Sequence, residues 1–338
     1  ILIVVVTVKF RTLESIAIVI LIMKILEEII NRIVVKKKYP ELHEIARKDT
    51  SMVRMTKDLA WTQLGYLILN NVDALLLMGF NGPVMVSIYT TYNYILRFLT
   101  EIASRVELSS VYSFGNVFAK KEEKRVYPLF KEYMMMFILI AFSMCLTFMI
   151  GIRGFVSVWV GTENYILDFI TVALFTSTSF LNILYFPLVA LINADGLFKD
   201  NKKHIFICAS VNLILSIILI NYLGINGILL GTGVAFLVNI ALKSNLISKK
   251  ITKEIKLSNI LKYYIITIIL FVVLSVALKP VENYFLLTAG SFITTILKRG
   301  IIFIIITLLT SLILYVVSND AKNLFRRLLN LIKRKLKK

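Results

Sequence analysis

Polar residues interrupt this chain at a nearly regular interval. Between them run apolar stretches of about 20 residues, the length at which an α-helix crosses a hydrocarbon core roughly 30 Å thick. The opening ILIVVVTV meets KFR too soon to span, so it reads as the end of a helix that begins upstream, and the chain as an N-terminally truncated fragment. Nine complete spans are expected after it, at 12–35, 59–80, 85–112, 131–152, 166–193, 204–222, 227–247, 263–279 and 297–318. The period-two alternation of a membrane β-barrel is absent, so the spans are helical. The expected fold class is an all-α polytopic membrane protein. A secretory signal would need a basic start and a small-residue cleavage site, and neither is visible.

The connections alternate in charge. KKKYPELHEIARKDTSMVRMTKD (36–58), AKKEEKR (119–125), LFKDNKK (197–203), SKKITKEIK (248–256) and the tail are basic. NGPV (81–84), 153–165 and GING (224–227) carry one Arg between them. Every second connection therefore follows the positive-inside rule, which sends the basic loops and the C-terminus to the cytoplasm. The outward connections are short, the longest lying at 280–296. In the tail, Leu324, Leu328, Leu331 and Ile332 share one helical face and Lys and Arg the other. Such a helix lies along an anionic leaflet and anchors the topology.

Composition agrees with this pattern: 58% of the 338 residues are apolar, and the formal net charge is +19. In a membrane protein that surplus is topological, so no nucleic-acid partner is inferred. Cys145 and Cys208 lie in apolar runs and read as small buried hydrophobes. His43 and His204 lack Cys partners at ligand spacing, so no metal site is expected. No phosphate-binding Gly loop and no nucleophile–His pair appears, so the chain is not read as an enzyme. The outward loops are too short to hold the acceptor of a membrane glycosyltransferase or polymerase.

Candidate chemistry sits inside the spans, where each ionisable group is a site hypothesis. Asp73 follows the amides Asn70 and Asn71 in an otherwise apolar helix and must face a wet cavity or a partner. The next span carries Tyr89, Asn93, Arg97, Glu101 and Arg105 at four-residue spacing, a polar stripe that drifts about 40° per step. Across a short turn the two spans pack antiparallel, bringing Asp73 and Arg97 to similar depths. The stripe then either lines a hydrated path for a polar, anionic substrate, or neutralises itself through i, i+4 pairs. In the first span Lys24, Glu27, Glu28 and Arg32 are also spaced for pairing, and Lys24 is the deepest of them. Asp168 is placed at the outer interface, and Lys243 near an inner end where side chains snorkel. Gly227 and Gly231 form a G-x-x-x-G that allows close helix approach, and Pro187 should kink its span.

Three stretches carry a family likeness: NNVDALLLMGFNGPVMVSIYTTYNYI (70–95), LINADGLFKDNKKHIFICASVNLILSIILI (191–220) and NYLGINGILLGTGVAFLVNI (221–240). With them the chain resembles the polysaccharide-exporter branch of the multidrug/oligosaccharidyl-lipid/polysaccharide exporter superfamily, the O-antigen-type flippases. The resemblance implies a MATE-like bundle of two six-helix lobes and two additional helices. On that plan 1–35 is the remnant of the first lobe, 36–58 the cytoplasmic lobe linker, 59–247 the second lobe, 248–318 the two additional helices and 319–338 the basic tail. The implied activity is flipping of undecaprenyl-pyrophosphate-linked oligosaccharide across the bacterial cytoplasmic membrane by alternating access. Arg97 and Arg105 would meet the anionic head, and Asp73 would pair with them or couple to a proton or sodium gradient. Asn70, Tyr89, Asn93, Glu101 and Lys24 complete the expected cavity. Glu101 departs from a purely cationic lining. The implied partners are the bilayer, the lipid-linked oligosaccharide, and a polysaccharide polymerase with its assembly proteins. The competing readings are a multidrug or cation antiporter, a flippase for the peptidoglycan lipid precursor, and a non-transporting membrane scaffold.

Overall fold

A computed structural model describes residues 13–38, 50–251, 256–288, 290–318 and 320–327. Among these residues there is helix and turn but no strand. The chain divides into two compact units between Arg54 and Met55, and each is described by itself. The first unit holds helix α1 (Leu13–Lys38), with Glu14 in its first turn and Lys36, Lys37 and Lys38 in its last, as the helix dipole favours. Most of the basic connection after it, 39–49, falls outside the described residues.

Helix α2 (Thr50–Ala119) crosses the division and contains both of the spans expected at 59–80 and 85–112. Seventy residues would make a rod of roughly 105 Å if straight, far longer than a bilayer. The break comes at Gly82, with φ 81° and ψ 178°, a region open only to glycine, and Pro83 follows at once. This single residue replaces the expected four-residue turn and yields two arms, α2a (50–81) and α2b (83–119). Contacts between Asp73 and Tyr89 and between Asn71 and Arg97 bracket Gly82, so the arms run antiparallel.

The rest of the second unit is α3 (Val126–Trp159), α4 (Phe169–Leu184), α5 (Phe186–Ala194), α6 (Phe198–Leu223), α7 (Ile225–Lys250), α8 (Leu257–Ala277), α9 (Lys279–Leu287) and α10 (Phe292–Val317). Pro187 accounts for the break between α4 and α5. The Leu188 amide turns back to Tyr185 O (3.0 Å), and the freed Leu184 carbonyl accepts from the Tyr264 hydroxyl of α8 at 2.9 Å. Helix α9 occupies part of the connection expected at 280–296, where the sequence suggested a loop.

Seven helical stretches are long and apolar enough to cross a membrane among the described residues, where nine spans were expected. One is lost because α2 carries two expected spans, and one because α1 holds Lys24, Glu27, Glu28 and Arg32. On α8, Ile265, Ile269, Val273 and Val276 are exposed, and α10 is apolar almost all round. Faces like these would aggregate in water, whereas a bilayer supplies them with acyl chains. The protein is a multi-pass helical membrane protein.

Helix α3 is the inner post of the bundle and packs against α4, α9 and α10. The Phe180 and Phe271 rings stack with centroids 3.9 Å apart, and Phe142 meets both edge-on. The G-x-x-x-G of α7 is a working seam: a Cβ at Gly231 would fall 2.5 Å from Ser216 Oγ, and one at Gly227 2.4 Å from Leu219 O. Helices α6 and α7 therefore meet nearly backbone to backbone. Gly151 and Gly154 of α3 do the same for the Arg299 side chain of α10, whose Nε donates to Gly151 O at 2.6 Å. The start of the tail, 320–327, is helical and docks on α3 through Lys131–Asp320 (3.3 Å) and Glu132–Arg327 (2.8 Å), with Leu324 buried. Leu328, Leu331 and Ile332 lie outside the described residues.

Candidate functional site

Both arms of α2 converge with α4, α5 and α7 on a cavity of about 420 Å³. Every lining residue belongs to a helical stretch long and apolar enough to cross a membrane. Of the residues expected to meet here, Asp73, Tyr89, Asn93, Arg97 and Glu101 line it together.

Asp73 is 3% exposed. Its Oδ2 accepts from the Tyr89 hydroxyl at 3.2 Å and from the Thr232 hydroxyl of α7 at 2.9 Å. The Thr232 hydroxyl also lies 3.3 Å from Asn212 Oδ1, which accepts from Ser216 Oγ at 2.9 Å. Asn212 in turn donates to Leu69 O at 3.2 Å. A buried polar network thus ties α2a, α6 and α7 together, made possible by the close seam at Gly231. The second carboxylate oxygen, Asp73 Oδ1, has no hydrogen-bond partner in the protein.

Arg97 reaches Asn71 Oδ1 (3.3 Å) rather than Asp73. No ion pair joins Arg97, Glu101 and Arg105, so the self-neutralising arrangement is not formed. Arg105 is exposed and does not line the cavity. Helical drift explains this, since four steps from Tyr89 to Arg105 rotate the position by about 160°. Lys24 belongs to the first unit, where it is exposed and pairs with Glu27 at 2.7 Å, while Arg32 pairs with Glu28 at 3.1 Å. The side chain of Asn70 lies outside the described residues.

The opposite wall was not anticipated. Phe175, Thr178, Ser179, Asn182 and Phe186 recur at three- and four-residue intervals on one face of α4 and α5, and all line the cavity. That periodicity was the available signal. Thr178 is bonded within its helix, to Phe175 O, whereas Ser179 and Asn182 show no hydrogen bond to the protein and present free polar groups to the cavity. The lining is mixed in sign, with the carboxylates of Asp73 and Glu101 against the guanidinium of Arg97. With its amides, hydroxyls and rings, it suits a polar ligand offering both donors and acceptors.

Lys243 does not snorkel. It is fully buried against Asn201, with Nζ 6.0 Å from the centroid of the Tyr66 ring. At the N-terminal end of α4, Asp168 caps the helix, accepting from the amides of Ile170 (3.0 Å) and Thr171 (3.2 Å) and from the Thr171 hydroxyl. Partial burial opposes ionisation there, but these hydrogen bonds outweigh it and hold the carboxyl below its ordinary value. Glu282 of α9 receives two bonds from Arg153, at 3.0 and 3.2 Å. Its burial still pushes the carboxyl above its ordinary value, against the pull of Arg153.

Residues able to hold a metal through three or more His, Cys, Asp or Glu groups do not cluster among the described residues. No protein-family model matches the chain, and no curated protein or solved structure does either.

Proposed function

We propose that this chain is part of a flippase that moves the oligosaccharide head of a polyprenyl-linked lipid across the bacterial cytoplasmic membrane by alternating access. The observation that carries the reading is the cavity among membrane-crossing helical stretches where Asn93 and Asn182 face inward beside Arg97, Glu101 and the ring of Phe175. Amides and carboxylates offer paired donors and acceptors to vicinal hydroxyls, and aromatic faces take the apolar face of a sugar ring. Its volume falls in the range of roughly 300–1,000 Å³ typical of small-molecule sites, enough for part of a glycan. The polyprenyl tail would stay in lipid while the head crosses. The mixed charge makes contact with the sugar, rather than attraction of the pyrophosphate alone, the basis of recognition.

A second reading, export of organic cations, is favoured by one feature: Asp73, whose Oδ1 has no hydrogen-bond partner, lines the same cavity as the rings of Tyr89, Phe175 and Tyr185. The same oxygen is the natural place for a coupling proton or sodium ion on either reading. Arg97 counts against a cationic cargo.

In the intact protein, Arg97→Ala should abolish export of the surface glycan at unchanged protein level, with lipid-linked glycan accumulating on the inner leaflet. Normal surface glycan in that variant removes Arg97 from the site. Loss of resistance to cationic drugs with glycan intact selects the second reading.

A further inference from the structure

Arg97 and Glu101 stand about one helical turn apart on α2b, and both line the cavity. At that spacing the Cβ atoms on a helix lie about 5–6 Å apart, close enough for a guanidinium and a carboxylate to pair. These two do not. Arg97 turns across to Asn71 on the other arm, its Nη2 donating at 3.3 Å. The side chain of Glu101 makes no ion pair or hydrogen bond among the described residues, and only its backbone carbonyl is engaged, by the Ser104 hydroxyl at 2.8 Å. A cation and an anion are thus neighbours on one wall, both exposed, and neither neutralises the other.

The other carboxylate of the cavity is less accessible. Asp73 is 3% exposed, and Tyr89 and Thr232 already bond its Oδ2. Glu101 is therefore the carboxylate that an incoming ligand meets first. Aromatic rings line the same cavity: Tyr185 meets Phe186 edge-on with centroids 5.3 Å apart and stacks on Phe236 at 5.7 Å. Such rings attract an ammonium and also take the apolar face of a sugar. The bond to Asn71 uses one nitrogen of Arg97, and the rest of its donor fork is open to a carboxylate or phosphate. A ligand with charge of one sign would be attracted by one of these groups and repelled by the other. A neutral ligand would leave both without a counter-charge. A ligand carrying an ammonium and an acid group about one helical turn apart satisfies both.

We propose that the part of the cargo held in this cavity is zwitterionic: an amino sugar whose free ammonium faces Glu101, with an acid group on the same or the next sugar facing Arg97. The inference rests on the transport reading for the glycan itself, and narrows that glycan to one bearing both charges.

Three sugars, titrated calorimetrically into the intact protein in lipid nanodiscs below the pKa of the sugar amine, separate the charges. Glucosamine 6-phosphate carries both, N-acetylglucosamine 6-phosphate only the anion, and glucosamine only the cation. Glucosamine 6-phosphate should bind about three- to tenfold more tightly than either of the others. Glu101→Gln should bring it to within about twofold of the N-acetyl sugar, and Arg97→Gln to within about twofold of glucosamine. The comparison within the parent needs no variant, so a folding defect cannot hide the answer. Equal affinity for the free and the acetylated amine overturns the proposal. So does glucosamine binding as tightly as its phosphate, or no binding of glucosamine 6-phosphate up to about 10 mM. Loss of surface glycan in Arg97→Ala without any preference among the three sugars strikes this inference and leaves the transport reading standing. The opposite pair of results strikes the transport reading and leaves a site for zwitterionic sugars.

Discussion

The surroundings of Asp73 and of Lys243 lie about two to three turns apart along α7 and are built in opposite ways. Around Asp73 the buried polar groups are wired, Asp73 Oδ1 apart: Tyr89, Thr232, Asn212 and Ser216 hand hydrogen bonds from one helix to the next. Around Lys243 they are not: both ends of Asn239 and Ser244 Oγ have no partner. Satisfied networks hold one arrangement, because breaking any member strands the others. An unsatisfied layer resists leaving its conformation far less, and elements that move are drawn from such places. The difference separates a fixed wall of the cavity from the part of the bundle able to rearrange.

That contrast can be broken by substituting the central amide of each region. Asn212→Leu should lower stability by about 2 kcal/mol, measured by denaturant unfolding in micelles, because Thr232, Ser216 and the Leu69 carbonyl all lose a partner. Asn239→Leu should instead raise stability by about 1 kcal/mol, because a buried amide with no hydrogen bond is replaced by an apolar group. If both changes cost the same, the two regions are not different in kind.

At the edge of the wired half the effect is smaller. Asp168→Ala should cost about 0.5–1 kcal/mol at neutral pH through loss of the α4 cap. The Asp168 carboxyl is held below its ordinary value of 3.8, so its contribution is complete above that value and fades as pH falls through the lower, folded value. The gap between variant and parent should therefore narrow in acid. A gap independent of pH would assign the cap to geometry alone.

Much of this was legible from residue patterns. The turn at Gly82, the kink at Pro187 and the close seam at Gly227 and Gly231 each follow from what those residues allow the backbone to do. The stripe from Tyr89 to Glu101 was visible because helical spacing gathers residues onto one face. Arg105 fell away from it because 3.6 is not 4. Less legible were features that depend on neighbours distant in sequence. Nothing local says that Lys243 is covered by Tyr66 and Asn201, that Arg97 finds Asn71, or that Thr232 bonds Asp73. The wall of Ser179 and Asn182 carries no charge, so attention to intramembrane ions passed over it.

Helix α3 is fastened near both extremities, by Lys131–Asp320 and Glu132–Arg327 at one and by Arg153–Glu282 and the Arg299 cradle at the other. Its 34 residues rise about 51 Å, more than the acyl slab alone. A post clamped top and bottom cannot shorten by sliding, so a thinner or thicker bilayer must be met by tilting of the whole bundle or by distortion of the surrounding lipid. Acyl-chain length thereby becomes a mechanical input to this protein, set by the organism's lipid composition rather than by any ligand.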